Sequence, residues 1–358
     1  MLQSSGRKTA LLSTAGNKIG DQQFTTELTT QHPDYLHSFF HACVSAHIEF
    51  VVLEVAAQAL TLHRVAGLEF DGIIFTNFAS AHGEFYTNEQ EYFAAKASLF
   101  EQAKPDAKLV INADDAKGVE FLEKYQNGTA FAVQKMFARV TGDILKSNAH
   151  GIEAVINGMD EVFGFTCPGL IGSFNLYNIL AAATMAWSLG IYPEQIACSL
   201  TSFTGVPGRL ERYNLPNGSV SFIDYAHNPL SFASVLPLLR SMTDHLIVIA
   251  GAGGDRDKSM RPIMGQLMAQ FADHVLLTTD NPRSENPADI IRAICDGVPE
   301  EYKSKVICEL DREYAIKRAY ELSKTNSIIA LLGKGPDEYQ IFGTEKMYFS
   351  ERTILKNL

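Results

Sequence analysis

The stretch HLIVIAGAGG, residues 245–254, decides the fold class. Its run from Leu246 to Ala250 is apolar without interruption, so a strand here has no polar face. Such a run is typical of a strand that is buried on both faces of a parallel sheet. The glycines that follow end the strand in a tight turn. The stretch therefore predicts an α/β fold.

Similar apolar stretches lie on both sides of it, and a helical pattern follows each one. They are SVSFIDYA (219–226), HVLLTTDNP (274–282) and SIIALLGKG (327–335). Strands that alternate with helices form parallel sheets, and ligands bind at the carboxyl ends of such strands. Because polar residues follow each stretch, we expect one ligand-binding cleft at that edge of the sheet.

The first half of the chain shows the same alternation. Strands are predicted at 8–14, 50–55, 72–77 and 107–114, and helices around 34–46, 88–102 and 115–125. Near-continuous apolar strands between helices predict a parallel sheet covered on both faces. Residues 127–166 instead have the pattern of short alternating strands with Gly and Asn turns, which predicts a small antiparallel patch. We place the domain boundary near residue 207.

Composition excludes several classes of protein. The 358 residues have a formal net charge of −11, which disfavours nonspecific binding to nucleic acid or to an anionic membrane. The five cysteines are widely spaced and form no C-x-x-C pair, so neither a disulfide framework nor a zinc site is predicted. The sequence has no run of about 18 apolar residues and no signal-peptide pattern, and we expect a cytoplasmic protein.

Polar residues are expected to converge at one edge of the first domain. Glu54 ends an apolar strand, and Asn77 and His82 follow the next strand. Lys96 comes 14 residues after His82. Each has an ordinary structural alternative: Glu54 as a helix cap, His82 as a satisfied loop histidine, and Lys96 with its stem along the surface and its charge in water.

Lys96 also supports a sharper hypothesis. In EYFAAKASLF (91–100), a helix places it on the same stripe as Tyr92, Phe93 and Phe100. A lysine is rarely buried without a partner, and burial favours the neutral amine. A neutral amine can add carbon dioxide and become a carbamate, whose two oxygens can bind Mg²⁺ together with a carboxylate. We therefore predict a metal ligand at Lys96.

A second set of charged residues follows the strands of the second half. Asp224, Arg256, Arg283 and Asp337 lie in the loops where the strands end. Arginine binds a carboxylate with two hydrogen bonds, and aspartate accepts from an ammonium, so this set suits a zwitterionic ligand. Solvated loop ion pairs are the alternative. The turn GAGGDRDK (251–258) is not G-x-G-x-x-G, so a dinucleotide site is not predicted.

Together these motifs resemble the Mur ligase family, and most closely its UDP-N-acetylmuramoyl-tripeptide synthetase (MurE-type) branch. The resemblance covers essentially the whole chain. Its most specific segments, in family order, are GSFNLYN (172–178), GVPGRLE (205–211), DYAHNP (224–229), GAGGDRDK (251–258), DNPRSENP (280–287) and GKGPDEYQ (333–340). It implies a central, mostly parallel-sheet ATPase domain at 1–206, followed by a C-terminal Rossmann-like α/β domain at 207–358.

The resemblance also implies roles for single residues. Lys96 matches the carbamylated lysine, and Glu54 and His82 match Mg²⁺ ligands, so these three are the expected catalytic and metal-binding residues. The positions that match nucleotide contacts are Asn77, Asn178, Arg209 and Asp224. The positions that match contacts to the muramoyl acceptor are Thr29, Thr30 and Arg64. The positions that match the pocket for the incoming amino acid are Arg256, Asp280, Asn281, Pro282, Arg283, Gly333 and Asp337.

Members of this branch join an amino acid to a UDP-muramoyl-peptide carboxylate, with ATP and Mg²⁺, in cytoplasmic peptidoglycan synthesis, and so serve cell-wall biogenesis, cell shape and cell division. The implied reaction forms an acyl phosphate, which the amine of the amino acid then attacks. The arginine of DNPR resembles the branch that adds meso-diaminopimelate, rather than lysine, to UDP-N-acetylmuramoyl-L-alanyl-D-glutamate.

Some positions depart from the family pattern. The chain has no G-x-x-x-x-G-K-[ST] loop, and the family's phosphate-binding loop would lie directly before Met1. The segment MLQSSG (1–6) also resembles the last turn of a helix, so we expect a missing N-terminal portion and no enzyme-like ATPase activity from this chain alone. Ala56 and Ala57 stand where the family has hydroxyl side chains, and Leu62 stands where it has an amide. Ala81 replaces an acidic side chain, and Asp337 replaces a glutamate.

Three hypotheses follow from these matches and departures. The first is a MurE-type amide ligase whose chain is shortened at the N-terminus. The second is a degenerate relative that binds a ligand or partner without catalysis, which Ala56, Ala81 and the absent loop favour. The third is a ligase of the same family with a different acceptor or amino acid, which the shorter Asp337 favours.

Overall fold

The computed structural model describes residues 1–24, 28–78 and 85–358, which form two compact units. The first unit comprises Met1–Ser147, Gly151–Pro168 and Gly172–Phe203. The second unit comprises Asn148–His150, Gly169–Ile171 and Thr204–Leu358. Two short segments of the first half of the chain therefore belong to the second unit.

The first unit contains a four-stranded sheet with the order β3-β2-β1-β4. Its strands are β1 (Thr9–Ser13), β2 (Gly16–Ile19), β3 (Gln22–Phe24) and β4 (Phe50–Leu53). Strand β1 pairs antiparallel with β2 and parallel with β4. Helix α1 (Pro33–Ser45) buries Leu36, Phe39 and Cys43 in one cluster with Leu12 of β1, as expected for one face of an amphipathic helix.

The first unit also contains a six-stranded sheet with the order β10-β9-β8-β7-β6-β5. Its strands are β5 (Phe70–Phe75), β6 (Ala103–Asn112), β7 (Thr129–Ala132), β8 (Val140–Asn148), β9 (Gly151–Gly158) and β10 (Glu161–Cys167). The remaining helices of this unit are α2 (Ala57–Thr61), α3 (Glu89–Ala97), α4 (Ala116–Lys124), α5 (Ser173–Ser188) and α6 (Pro193–Thr201), with 3₁₀ turns at Gln3–Ser5 and Ser98–Gln102. Gly6, with φ of 86°, ends the first 3₁₀ turn, as the sequence predicted.

The mostly parallel α/β class is confirmed, but two details of the first unit differ from the prediction. The described strands form two sheets rather than one, with β4 at the edge of one sheet and β5 at the edge of the other. The expected antiparallel patch at 127–166 is wrong for its first part, because β7 pairs parallel with β6 and with β8. Phe131 and Ala132 are fully buried, so this short run is a core strand.

The second unit is built on a six-stranded sheet with the order β11-β12-β16-β13-β14-β15. Its strands are β11 (Glu211–Asn214), β12 (Val220–Asp224), β13 (Leu246–Ala250), β14 (His274–Leu277), β15 (Val306–Cys308) and β16 (Ile328–Leu332), and β17 (Tyr339–Phe342) and β18 (Glu345–Tyr348) form a separate hairpin. All pairs in the large sheet are parallel except β11 with β12. Its helices are α7 (Pro229–Arg240), α8 (Met260–Phe271), α9 (Pro287–Cys295), α10 (Arg312–Leu322) and α11 (Glu351–Lys356), with a 3₁₀ helix at Glu300–Lys305.

Strand β13 confirms the prediction from its apolar run. Leu246, Val248 and Ala250 belong to the core on one face of the sheet. Ile247 and Ile249 belong to the core on the other face, because successive side chains of a strand point in opposite directions. All five side chains are fully buried. The carboxyl ends of β12, β16, β13 and β14 therefore lie side by side at one edge of this sheet.

Candidate active site

The loops after β12, β13, β14 and β16 carry most of the residues predicted for an amino-acid pocket. Gly333 follows β16 directly, with φ of 111°, and its N–H donates to the carbonyl of Asp224 at 3.1 Å. A Cβ at Gly333 would lie 2.6 Å from Oδ2 of Asp280. Only glycine adopts this backbone conformation freely and lets the carboxylate approach so closely. The structure thus brings Gly333 and Asp280 together.

The DNPR segment passes from the interior to the surface of this loop cluster. Asp280, Asn281 and Pro282 are buried, and Arg283 is half-buried. Arg283 has φ of 50°, and its backbone pairs with the β17–β18 hairpin through Ile341 and Gly343. Its Nη1 donates to the carbonyl of Gly254 at 2.8 Å. The other N–H groups of the guanidinium make no hydrogen bond within the described residues, so they are left for a ligand.

Arg256 and Arg283 flank the glycine-rich turn that follows β13. A Cβ at Gly253 would lie 2.9 Å from Nη1 of Arg283 and 3.6 Å from Cγ of Arg256. Arg256 is exposed, whereas Arg283 is half-buried. The guanidinium of Arg283 and the stem of Arg256 thus lie next to one backbone position, and two arginines in one turn favour carboxylates.

Asp337 provides negative charge in the same loops. It is half-buried, and its N–H donates to the carbonyl of Lys334 at 3.0 Å. Burial raises the pKa of Asp337, and the positive charge of Lys334 opposes that rise. Burial, with Asp337 close by, raises the pKa of Tyr339 to about 12. An ammonium beside Asp337 would favour the ionised carboxylate.

Sequence reasoning missed Glu285, which joins the two arginine-bearing loops. Its carboxylate accepts two hydrogen bonds from the buried Arg261, at 2.9 and 2.8 Å, and one from the N–H of Asp255 at 2.7 Å. Lys258 lies 3.1 Å from the same carboxylate. The Arg261 guanidinium, followed by the Asp255 amide and Lys258, lowers the pKa of Glu285 to about 2. The acidic residue in DNPRSENP was a usable signal, because a carboxylate in a basic loop needs a cation.

We expect the stabilising effect of Glu285 to disappear in acid. Its pKa is lowered from 4.5 to about 2, so the contribution is present above pH 4.5 and is lost as the pH falls towards 2. Glu285→Gln should therefore lower the free energy of unfolding at pH 7, and the difference from wild type should shrink by pH 3. Urea titrations at both pH values measure this, with Glu321→Gln, from an exposed pair with Arg318, as control. An unchanged difference at the two pH values would contradict the assignment.

Arg209 and Asp224 meet beside Tyr225. The Arg209 guanidinium lies 4.9 Å from the centroid of the Tyr225 ring. Asp224 accepts from the N–H groups of Leu210 and Ala226, each at 2.8 Å, and burial raises its pKa. Both carboxylate oxygens of Asp224 are thus used to hold the backbone beside Arg209. The geometry makes Asp224 a residue that positions this loop.

In the first unit, the residues predicted for the muramoyl acceptor lie next to Glu54. Oε2 of Glu54 accepts from the N–H and the hydroxyl of Thr14, at 2.9 and 3.1 Å, and the Thr14 hydroxyl lies 2.8 Å from that of Thr29. The Thr30 hydroxyl donates to the carbonyl of Glu54 at 2.9 Å. Arg64 donates to the carbonyl of Thr30 at 3.0 Å. These contacts gather Glu54, Thr29, Thr30 and Arg64 at the carboxyl ends of β1 and β4.

Lys96 differs from its prediction. It lies in the last turn of α3 and is half-buried rather than buried, and its Nζ lies over the ring of Tyr92, 5.1 Å from the centroid. The ring takes the place of a buried partner for the charge. His82 lies outside the described residues. Within the described ranges no group of three acidic, histidine or cysteine side chains is arranged to hold a metal, so the carbamate stays a prediction.

The asparagines predicted for nucleotide contacts lie in two places of the first unit. Asn77 is exposed just after β5. Asn178 is exposed near the start of α5, and its Nδ2 donates to Oδ1 of the buried Asn175 at 3.0 Å. This bond joins the two asparagines within α5.

The start of α5 is held by Asp114, which sequence reasoning did not select. Its carboxylate accepts from the N–H groups of Val133, Gln134 and Lys135, at 2.7, 2.9 and 3.1 Å. It also accepts from the hydroxyl of Tyr177 at 3.0 Å. Burial, followed by the nearby Asp114 carboxylate, raises the pKa of Tyr177 to about 12. Asp114 thus fixes Asn178 relative to the carboxyl end of β6.

Comparison of the sequence with protein families gives two matches. Residues 1–186 match the Mur ligase middle domain, and residues 208–335 match the glutamate ligase domain of Mur ligases. The chain belongs to the Mur ligase family. Within the part of this Mur ligase chain that the structure describes, no helix is long and apolar enough to cross a membrane.

Two curated relatives of this Mur ligase carry the same name. UDP-N-acetylmuramoyl-L-alanyl-D-glutamate–2,6-diaminopimelate ligase of Parabacteroides distasonis is 34% identical over 361 residues, which span 100% of this chain and 73% of the relative. The enzyme of the same name from Synechococcus elongatus is 37% identical over 355 residues, which span 98% of this chain and 71% of the relative.

Solved structures show the same relationship. A structure of a UDP-N-acetylmuramoyl-L-alanyl-D-glutamate–2,6-diaminopimelate ligase has a TM-score of 0.74 at 26% identity, over 99% of this chain and 73% of its own. The MurF ligase of Thermotoga maritima, in complex with ADP, has a TM-score of 0.64 at 18% identity, over 94% of this chain and 72% of its own. The second likeness shows the fold alone.

Proposed function

We propose that this chain belongs to an ATP-dependent amide ligase that adds meso-diaminopimelate to UDP-N-acetylmuramoyl-L-alanyl-D-glutamate in peptidoglycan precursor synthesis. The observation that carries the proposal is the loop cluster of the second unit. It contains Arg256, Asp337 and the DNPR segment, whose Arg283 is half-buried. Alignment over 100% of the chain with a ligase of that name supports the same substrates.

The charges of the loop cluster suit meso-diaminopimelate in particular. This amino acid has a carboxylate and an ammonium at each end, whereas lysine lacks the distal carboxylate. Arg283 and Arg256 provide guanidinium groups for a carboxylate, and Asp337 provides an acceptor for an ammonium. A ligand without the distal carboxylate would leave a half-buried arginine unpaired, which disfavours it.

The cluster in the first unit suits the acceptor substrate. Thr29 presents a hydroxyl group and Arg64 presents a guanidinium beside the end of β4, and the buried Thr30 positions them, because its hydroxyl donates to the carbonyl of Glu54 and its own carbonyl accepts from Arg64. Hydroxyl and guanidinium donors together favour phosphate and carboxylate oxygens. We propose that this cluster binds the UDP-muramoyl substrate and that Glu54 is part of it.

ATP would supply the phosphoryl group that turns the acceptor carboxylate into an acyl phosphate. Asn77 and Asn178 are the residues of the first unit that we propose contact ATP. Within the second unit, Asp224 holds the loop of Arg209, which matches a nucleotide contact of the family. No group of three acidic, histidine or cysteine side chains among the described residues forms a donor set for Mg²⁺, and Oε2 of Glu54 already accepts two hydrogen bonds from Thr14.

The amine of the second substrate must be neutral and correctly oriented when it attacks the acyl phosphate. We propose that Arg283, Arg256 and Asn281 orient the amino acid by binding its carboxylate groups, and that Asp337 binds its distal ammonium. Because these residues lie on loops anchored by buried strands and by Glu285, binding of the amino acid should cost little conformational entropy.

Calorimetric titration of the purified chain with meso-diaminopimelate and with L-lysine tests the proposal. We expect meso-diaminopimelate to bind and lysine to bind at least about tenfold more weakly, because each lost charge-assisted hydrogen bond costs about 1.5–3 kcal/mol. The two ligands share one complete amino-acid end, so lysine is the matched control. Equal affinities would refute the assignment of the amino acid.

Two other functions remain candidates on specific observations. A binding protein without catalysis is favoured by Ala56, which has no side-chain hydroxyl to offer a substrate and whose N–H donates to the Thr30 hydroxyl at 2.9 Å. A family ligase for another amino acid is favoured by Asp337, which is one methylene shorter than glutamate. The titration separates them, since only the second predicts tight binding of a different amino acid.

A further inference from the structure

Lys334 is a buried cation without a role in the proposed function. Its side chain has no exposed surface. Within the described residues its Nζ donates to Oδ1 of Asn281 at 3.2 Å, lies 3.9 Å from Oδ1 of Asp280, and lies 5.7 Å from the centroid of the Tyr339 ring. Burial lowers the pKa of Lys334, and Asp280 opposes that shift.

Stability alone does not account for this lysine. An ammonium group has three N–H donors, and one of them makes a hydrogen bond within the described part of the chain. A buried charge repays its desolvation only when geometry is good and its donors are satisfied, and an apolar side chain of similar size is often as stable or more so. A lysine at this place therefore points to the site beside it.

The contact of Lys334 fixes one atom of the proposed amino-acid pocket. Oδ1 of Asn281 accepts from Nζ of Lys334 at 3.2 Å and from the N–H of Ile341 at 3.1 Å. Two donors on the oxygen determine which way the planar amide is turned. Nδ2, at the opposite corner, makes no hydrogen bond within the ranges that the structure describes, so its two N–H groups are left for a ligand.

We propose that Lys334 is a positioning residue, which orients the amide of Asn281 so that its NH₂ group donates to a carboxylate of the incoming amino acid. This rests on the proposed function for the identity of that ligand. A cation on the amide oxygen also polarises the amide and strengthens its N–H donors. The positive charge of Lys334 thus reaches the carboxylate through Asn281, without contact between lysine and ligand.

A double-mutant cycle tests the proposal by calorimetric titration with meso-diaminopimelate. Lys334→Met, which keeps the length and apolar stem, should raise the dissociation constant about tenfold in the otherwise wild-type chain. In the Asn281→Ala background it should change the constant by less than about twofold, because the amide is gone. The same factor in both backgrounds, or no effect of Lys334→Met in the first, would overturn the proposal.

The amide itself gives a readout that separates this proposal from the proposed function. The side-chain NH₂ resonances of Asn281, assigned in ¹⁵N spectra by their loss in Asn281→Ala, should shift in Lys334→Met while the signals of remote asparagines such as Asn17 do not. Unchanged Asn281 resonances would overturn the positioning role even if the wild type binds meso-diaminopimelate. If the wild type does not bind it, the proposed function fails, and these resonances still decide whether Lys334 orients the amide.

Discussion

Replacement of Arg283 by alanine is expected to raise the dissociation constant for meso-diaminopimelate by about 30- to 1000-fold. The guanidinium is half-buried, and one of its nitrogens already donates to the carbonyl of Gly254, so the group has a fixed direction. Removal of one partner of a hydrogen-bonded charge pair costs about 2–4 kcal/mol, because the other charge is left desolvated and unpaired. The affinity for lysine should change by less than about threefold, since lysine has no distal carboxylate.

The controls for this prediction lie in the same unit. Arg292 is exposed and pairs only with Asp289 within the described residues, so Arg292→Ala removes an equal charge from the unit without a change in affinity. Arg283→Lys keeps the charge but loses the planar fork, and it should give an intermediate loss. Equal losses for lysine and meso-diaminopimelate in Arg283→Ala would show that this arginine holds the amino-acid end that the two ligands share.

The sequence predicted the second unit well because its signals are local. An uninterrupted apolar run such as 246–250 allows few interpretations other than a strand buried on both faces. Gly333 stands directly after β16 and Arg283 lies in the loop that follows β14, so their place at one edge follows from the parallel pairing. The strand ends, the loops and the position of most residues of the proposed pocket were therefore predictable from the sequence.

The first unit was harder to predict because its decisive features are weaker patterns. Strand β7 has four residues, and its turn-rich surroundings suggested an antiparallel patch instead of a core strand. Lys96 lies on an apolar helical stripe but is half-buried, with its Nζ over the ring of Tyr92. A position on the stripe therefore did not mean full burial. A helical pattern predicts which residues share a face, and packing decides how deep that face lies.

The contacts that sequence reasoning did not predict join residues that lie far apart in the chain. Lys334 meets Asn281 from 53 residues away, and Tyr177 meets Asp114 from 63 residues away. No local pattern predicts which lysine donates to which amide. Side-chain pairs of this kind are established by the packing of the whole unit, which sequence periodicity does not encode.

The buried ion pair of Arg312 with Glu351 carries the largest expected effect on stability. Both side chains are almost fully buried, and Nε and Nη2 of Arg312 lie 2.9 and 2.8 Å from Oε1 of Glu351. Nη2 also donates to the carbonyl of Leu332 at 2.9 Å. Arg312→Met should lower the free energy of unfolding by about 3–5 kcal/mol, because the Glu351 carboxylate remains buried without its cation. Urea titration, or the midpoint of thermal unfolding, measures the loss.

The double variant Arg312→Met/Glu351→Met is expected to recover most of that loss. Nη1 of Arg312 and Oε2 of Glu351 have no hydrogen-bond partner in the described part of the chain, so the pair is incompletely satisfied even in the wild type. Apolar side chains of similar volume avoid this cost, and the double variant should lie within about 1 kcal/mol of wild type or above it. Arg318→Met, from an exposed pair with Glu321, is the control and should change stability by less than about 0.5 kcal/mol.

The outcome also bears on the pocket, because Leu332 is the residue directly before Gly333. If Arg312 serves chiefly to hold that carbonyl, the double variant should fold as stably as wild type and still bind meso-diaminopimelate less tightly. If instead the losses of Arg312→Met and of the single variant Glu351→Met simply add in the double variant, Arg312 and Glu351 do not act as one coupled unit. Binding and unfolding measured on the same three variants therefore distinguish a pair retained for stability from one retained to shape the turn at Gly333.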